Sequence, residues 1–318
     1  MAHRVYIDGH AGTTGLRIRE WLAHRNDLTL ATLTDADRKD PAARREQLRD
    51  ADLAVLCLPD DAAREAVTWA AGSGTRILDT STAHRIDEAW VYGLPELAPD
   101  QREAIRSADR VANPGCYASG FILATRPLLD AGLLEADAGL SFHALSGYSG
   151  GGRPMIENWE DPNSGLAELV YEAPYALDRR HKHVPEMLHY SGLTAEPQFL
   201  PAVGPFRCGM RIQLPLHADR LVPGTTAKQI WEAFEARYRG EPFLRLHPLA
   251  DPLDSNERSF DPEACNGTNR IELHVVPHPS GHVLLVAILD NLGKGAAGVA
   301  IQSLNLMLGR PETEALQA

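Results

Sequence analysis

The chain has little cysteine. Its four residues in 318, Cys57, Cys116, Cys208 and Cys265, stand far apart and form no C-x-x-C pair. That argues against a disulfide framework and predicts reduced thiols, one or two of them reactive at most. No apolar run approaches the roughly 20 residues that a bilayer-spanning helix needs. The opening "MAHRVYIDGH" runs straight into a strand pattern. It has neither the apolar stretch nor the small-residue cleavage site of a secretory leader, so a cytoplasmic protein without membrane partners is expected. Clustered positive charge is missing too. Lys and Arg number 31 against 43 Asp and Glu, a formal charge of −12. This balance argues against nucleic acid as a partner, while local arginines can still hold an anionic small substrate. Internal repeats, low-complexity segments and long linkers are absent.

What is present is an ordinary globular composition, 44% hydrophobic and 23% charged, at a length that suits two domains. In the first half, strand patterns at 4–8, 28–33, 52–59, 75–81 and 109–114 alternate with helical patterns at 14–25 and 60–74. The run "DLAVLCLP" is apolar throughout, as a parallel strand buried on both faces should be. The second half changes character. Long strand patterns at 138–147, 208–216, 270–277 and 281–291 surround a Thr-capped helix at 225–240, and an apolar helix covers 293–309. The expected fold is α/β: a Rossmann-type doubly wound parallel sheet domain, plus an α+β domain with a mostly antiparallel sheet. The expected division is 1–115, completed by the helix at 293–310, and 116–292.

Gly9, Gly12 and Gly15 follow the first strand with the spacing G-x-x-G-x-x-G. This departs from the dinucleotide pattern G-x-G-x-x-G. The mechanics are the same: a tight turn, close backbone approach and a helix N-terminus that binds a pyrophosphate. Thr13 and Thr14 add hydroxyls. At the end of the second strand, Asp35 favours NAD and Arg38-Lys39 favours NADP, so the residues alone leave both open.

"ANPGCYAS" places Cys116 on a turn where a strand pattern stops and a helix begins, with Gly132 as the stop. A helix N-terminus favours thiolate over thiol, and its free N–H groups can hold an oxyanion. A small residue fitting the turn is the plain alternative. Cys57, Cys208 and Cys265 read as structural. A nucleophilic thiol beside a nicotinamide implies redox chemistry at the acyl level, which needs an acid or base. "DRRHKHVPEM" supplies His181 and His183, with Glu186 to orient one of them. A zinc site and a merely polar loop are the competing readings. His217, His274 and His282 fall in strand patterns and read as structural. In "SGYSGGGR" the glycines allow close backbone approach to a ligand and Arg153 can clamp a carboxylate or phosphate; a hinge is the other reading.

Taken in order, "IDGHAGTTGLRI", "LDTSTAHR", "VYGLPEL", "ANPGCYAS", "SGYSGGGR", "HKHVPE" and "FLPAVGPFRCGM" resemble the N-acetyl-γ-glutamyl-phosphate reductases, in the shorter of that family's two forms. The resemblance runs from residue 4 to about 305. Aspartate-semialdehyde dehydrogenases share the architecture but differ around cysteine and histidine. The resemblance implies that Cys116 is the nucleophile and His183 the acid/base, with Glu186 beside it. It implies NADP as cofactor, held by Gly9, Gly12, Thr13, Thr14 and Gly15, with Arg38 near the 2′-phosphate and Ser81 near the nicotinamide. Asn113, Ser149, Arg153 and His181 are the expected substrate-binding residues, and no metal is expected. The implied reaction is NADPH-dependent reduction of an acyl phosphate in arginine biosynthesis; the long strands of the second half suggest a sheet-mediated homodimer or homotetramer. Aspartyl or aminoadipyl phosphate as substrate and a non-enzymatic NADP-binding redox sensor are the alternatives. Three departures stand out: Ala118-Ser119 after the Cys-Tyr pair, Lys182 where Arg is commoner, and Arg207-Cys208 before Gly209.

Overall fold

The computed structural model describes residues 2–178, 180–251 and 259–318. They divide into two compact units: Ala296–Gln317 joins the residues up to Pro114, and Gly115–Gly295 forms the second.

In the first unit the strands are β1 (His3–Asp8), β2 (Leu28–Ala31), β3 (Leu53–Leu56), β4 (Arg76–Asp79), β5 (Val91–Tyr92) and β6 (Arg110–Ala112). They pair in parallel in the order β2-β1-β3-β4-β6-β5. The helices between them are α1 (Thr13–Leu22), α2 (Pro41–Arg49), α3 (Asp60–Ala70) and α4 (Gln101–Ser107). Side chains alternate across each strand, so the sheet feeds two cores. Val5, Ile7, Val55 and Leu78 meet Ile18 and Leu22 on one face, with Ile301 and Leu304 of the last helix. Tyr6, Ala54, Leu56 and Ile77 meet Ala63, Ala66 and Trp69 on the other. Double-sided burial explains why β3 reads as an unbroken apolar run. Periodicity does not reveal α2, because it buries only Arg44 and Leu48. Its start is nonetheless well specified: Asp40 accepts from the N–H groups of Ala42 and Ala43, and Pro41 opens the helix. The strand order reverses between β1 and β3. An open α/β sheet binds ligands just beyond such a switch point, where Gly9 sits.

The second unit is built on a seven-stranded sheet. Its elements are α5 (Cys116–Asp130), β7 (Ser141–Gly147), α6 (Gly152–Glu160), β8 (Ala173–Pro174), α7 (Val184–Ser191), β9 (Gln198–Gly204), β10 (Met210–Leu216), α8 (Ala227–Tyr238), β11 (Leu244–Leu246), β12 (Ile271–Pro277) and β13 (Val283–Leu289). The order is β11-β12-β13-β10-β7-β9-β8. Four of the six pairings are antiparallel; β11–β12 and β7–β9 are parallel. The expected fold class is what forms. The second glycine cluster lies within the second unit: Ser146-Gly147 ends β7, 148–151 make a 3₁₀ turn, and α6 follows.

Helix α5 is apolar nearly all round, as a helix pressed against a sheet and flanked by other helices must be. Gly120 marks its closest approach to β10, since a Cβ there would lie 2.4 Å from Ile212 Cδ1. The Tyr238 hydroxyl of α8 donates to the Leu123 carbonyl at 2.7 Å. This packing fixes the N-terminal end of α5. The C-terminal segment starts with a π-helical turn at Gly293–Ala297 and continues as α9 (Gly298–Met307). Such turns are rare and concentrate at functional sites.

Candidate active site

In the first unit the loop after β1 is shaped for close approach. Gly9 has φ +84°, and a Cβ there would lie 2.2 Å from the Cys57 carbonyl oxygen. At Gly15 a Cβ would lie 2.6 Å from the Gly9 carbonyl oxygen. Gly12 caps α1 without a side-chain hydrogen bond, so the first-turn N–H groups of Thr13, Thr14 and Gly15 stay available to an anion. A pyrophosphate fits this cradle. Asp8, just before it, is buried, and the Arg44 guanidinium neutralises its carboxylate at 3.0 Å.

Arg38 and Asp35, the two residues that point to different nicotinamide cofactors, pair with each other at 3.2 Å on the surface. Ser81 is buried. Its hydroxyl donates to Asp79 at 2.7 Å and accepts from the Ala83 N–H at 3.1 Å. Asp79 also receives His84 Nδ1 at 2.7 Å, and His84 stacks on Trp90. Asn113 is buried at the end of β6. Its Nδ2 donates to the Ala296 carbonyl at 3.1 Å, and its Oδ1 has no partner among the described residues. An orphaned buried acceptor of this kind invites a donor from a ligand.

In the second unit Cys116 is the first residue of α5, half-buried, after Gly115 in extended backbone. No side chain caps the helix. The first N–H groups of a helix have no acceptor within it, and here they surround the sulfur's own residue. Glu186 is 1% exposed, and its carboxylate accepts from the Gly115 N–H at 3.1 Å. That contact holds the turn before the nucleophile, whereas the sequence suggested only a histidine as the partner of Glu186. Gly295 presses on Cys116 from the π-turn: a Cβ there would lie 2.6 Å from Cys116 Cβ.

His183 caps α7 and is buried; His181, two residues earlier, is half-buried. The rings meet edge to face at 4.7 Å. The His183 N–H donates to His181 Nδ1 at 3.1 Å, and Tyr175 Oη lies 3.3 Å from His181 Nε2. Tyr175 is a site residue that motif reading misses; its only sequence signal is its position six residues before His181. Arg179 of the same segment lies outside the described residues. Ser149 is buried, accepts from Asn291 Nδ2 at 2.9 Å and touches Cys208 Sγ at 3.4 Å. Arg153 stands exposed on α6.

Two of the other thiols are held protonated by their surroundings. Burial pushes Cys57 up to about 12 and Cys265 up to about 11. Cys265 is fully enclosed and donates to the Ile288 carbonyl. His217 lies just past the end of β10, on the surface, where it pairs with Asp219.

Among the described residues, metal-ligating side chains converge at one place only, and it is not the His181–His183 segment. His247, Glu272 and His274 bring their donor atoms within 4.8 Å of one another. The two imidazoles stack nearly parallel at 4.0 Å, a geometry that does not point both lone pairs at one ion. Glu272 already receives His247 at 2.9 Å and Arg270 at 2.9 Å, with Arg245 at 4.0 Å. Its carboxyl is held below the usual range, chiefly by the His247 hydrogen bond.

Burial, with His247 beside it, holds His274 down to about 4. The folded state therefore resists protonating a group that titrates near 6.5 when unfolded. Its contribution to stability is complete above about pH 6.5 and is lost as pH falls towards 4. With His247, Glu272 and Arg245 around it and solvent at one side, the expected loss between pH 7 and 5 is about 1 kcal/mol. Urea midpoints of the wild type and His274→Asn at the two pH values measure it. An equal loss in both would assign the pH dependence elsewhere.

Comparison with known proteins agrees with this architecture. The semialdehyde dehydrogenase NAD binding domain family matches residues 4–107, and the semialdehyde dehydrogenase dimerisation domain family matches residues 116–291. A Pseudomonas putida protein named N-acetyl-gamma-glutamyl-phosphate reductase 2 is 48% identical over 307 residues, 96% of each chain. A Nostoc protein of the same name is 44% identical over 314 residues, 97% of this chain and 98% of its own. Among solved structures, aspartate semialdehyde dehydrogenase II from Vibrio cholerae superposes with a TM-score of 0.73 at 17% identity, covering 97% of this chain and 99% of its own. The Candida albicans aspartate semialdehyde dehydrogenase with NADP superposes at 0.68 and 13% identity, over 97% and 99% of the two chains. The structural likeness carries the fold, the sequence identity carries the family, and the chain belongs to the N-acetyl-gamma-glutamyl-phosphate reductases of the semialdehyde dehydrogenase superfamily.

Proposed function

We propose that this chain reduces N-acetyl-γ-glutamyl phosphate to N-acetylglutamate semialdehyde and phosphate with NADPH, through a thioester on Cys116. The reading rests above all on Cys116 at the uncapped start of α5, with the Gly115 N–H tied to Glu186. In it, the Cys116 sulfur attacks the acyl carbon and the C–O bond to phosphate breaks. The first-turn N–H groups of α5 stabilise the oxygen of the tetrahedral intermediate. A thioester remains, a better hydride acceptor than a carboxylate. NADPH, when bound, supplies the hydride, and the loop at Gly9, Gly12, Thr13, Thr14 and Gly15 would hold its pyrophosphate. Reduction leaves a thiohemiacetal on Cys116. Its collapse breaks the C–S bond, frees the aldehyde and returns the thiolate. The one proton consumed overall leaves on the phosphate, which departs as hydrogen phosphate, and His183 is the donor in this reading.

Within the second unit, Arg153, an exposed cation on α6, is the substrate contact this reading favours. We infer further a cytoplasmic homodimer or homotetramer assembled through the second unit, whose matching family is named for dimerisation. No helix among the described residues is long and apolar enough to cross a membrane.

The test runs the reaction backward, with purified protein, N-acetylglutamate semialdehyde, phosphate and NADP⁺, following reduced nicotinamide. A signal that needs both phosphate and the acetylated aldehyde supports the reading. A signal with aspartate semialdehyde alone keeps the chemistry and refutes the substrate. Tight NADP binding with no signal from either aldehyde refutes the reading.

A further inference from the structure

We propose that Tyr175 is a positioning residue for this reaction: its hydroxyl joins Tyr117, the neighbour of the nucleophile on α5, to His181. The proposal rests on the function proposed above and adds a residue to it.

The hydrogen bonds run in one direction. The His183 N–H donates to His181 Nδ1 at 3.1 Å, so a neutral His181 carries its proton on Nε2. Nε2–H then donates to Tyr175 Oη at 3.3 Å. Tyr175 in turn donates to Tyr117 Oη at 3.1 Å. With Nδ1 accepting and Nε2 donating, the bonds set one tautomer and one ring orientation for His181. The rings around it agree. Tyr117 and Phe199 both meet His181 edge-on, at 5.5 and 5.0 Å.

Both tyrosines stay protonated. Burial raises both hydroxyls above their ordinary value, and the charge of the Cys116 thiolate adds to the effect in each. The backbone is also committed to presenting Tyr175. Its N–H donates to the Pro201 carbonyl at 3.2 Å. The next residue, Ala176, takes φ +49°, a left-handed conformation that alanine rarely adopts. The phenol therefore links the segment of the two histidines to the helix of the nucleophile. Without that hydroxyl the link from His181 to Tyr117 is broken, and the His183 backbone bonded to the ring loses that reference.

Tyr175→Phe keeps the ring and removes the link. The expected result is a fall in kcat of about ten- to a hundredfold with the KM for NADPH unchanged, because small misplacements of reacting groups cost that much. The kcat/KM pH profile should shift with it. His181→Asn keeps an acceptor for the His183 N–H but does not reach Tyr175. It should lose as much as Tyr175→Phe, and the double variant should be no worse than either. Cys116 alkylation by iodoacetamide at pH 7 supplies a readout without turnover, and its rate should change in Tyr175→Phe. Wild-type kcat and an unchanged alkylation rate in Tyr175→Phe would overturn the proposal. So would multiplicative losses in the double variant. A wild-type protein that reduces no acyl phosphate defeats the proposed function instead, and the alkylation comparison still decides the role of Tyr175.

Discussion

Cys116→Ser should lower turnover by about a thousandfold or more while leaving NADPH binding as it is. The substitution changes one atom. It keeps the size of the side chain, the start of α5 and the Gly115 to Glu186 contact. It replaces a thiolate-forming nucleophile by a hydroxyl that stays protonated at neutral pH. It also replaces a good leaving group by a poor one at the collapse of the hemiacetal. The first unit, which holds the glycine cradle, is untouched, so NADPH titration by fluorescence should give the wild-type affinity. Mass spectrometry adds a direct check. Mixed with acyl phosphate and no NADPH, the wild type should gain the mass of one acyl group on the peptide carrying Cys116, and the variant none. A variant with a substantial rate, or a wild type that transfers hydride without acylation, would mean direct reduction without a covalent intermediate.

The position of that thiol was legible in the sequence because it follows from local rules. A strand pattern, a Pro-Gly turn and a helix pattern meet within seven residues, and Cys116 falls on the junction. The alternation of Val5, Tyr6 and Ile7 across β1 is legible for the same reason. What failed to show involves partners distant in the chain. The bond between Glu186 and the Gly115 N–H, 71 residues away, is one such case. Ser149 sits in a motif suited to binding, but Asn291, 142 residues away, already occupies its hydroxyl. Arg38 and Asp35 read as rival cofactor signals, although residues three apart in a tight turn can simply neutralise each other. Parallel pairing of β7 with β9 has no hairpin signature, so only the assembled sheet reveals it. Tyr175 carries no motif at all, and its meaning lies in which hydroxyl and which ring it reaches.

Gly293 and Gly295 both lie in the π-helical turn that opens the C-terminal segment, and the geometry separates them. A Cβ on Gly293 would lie 2.0 Å from the Thr268 carbonyl oxygen and 2.9 Å from Asp290 Cβ, with no atom of Cys116 among its three nearest neighbours. On Gly295 it would lie 2.6 Å from Cys116 Cβ, 3.2 Å from Cys116 Cα and 3.1 Å from the Asp290 carbonyl oxygen. Nothing in that second set is a flexible tip that can swing aside. The Asp290 carbonyl already accepts from the N–H groups of Gly293 and Gly295, and two of the three contacts are to Cys116 itself, so the start of α5 takes part of the displacement. Gly295→Ala is thus expected to move the sulfur and to cost about a hundredfold in kcat, beyond an overpacking penalty of about 1–3 kcal/mol in stability. Gly293→Ala should cost at least as much stability, with the kcat of the folded fraction far less affected. Thermal melts and active-site-titrated rates on both variants measure the split. If the two lose activity only in proportion to stability, the π-turn is merely packing. If Gly295→Ala loses activity on its own, the turn sets the position from which Cys116 attacks.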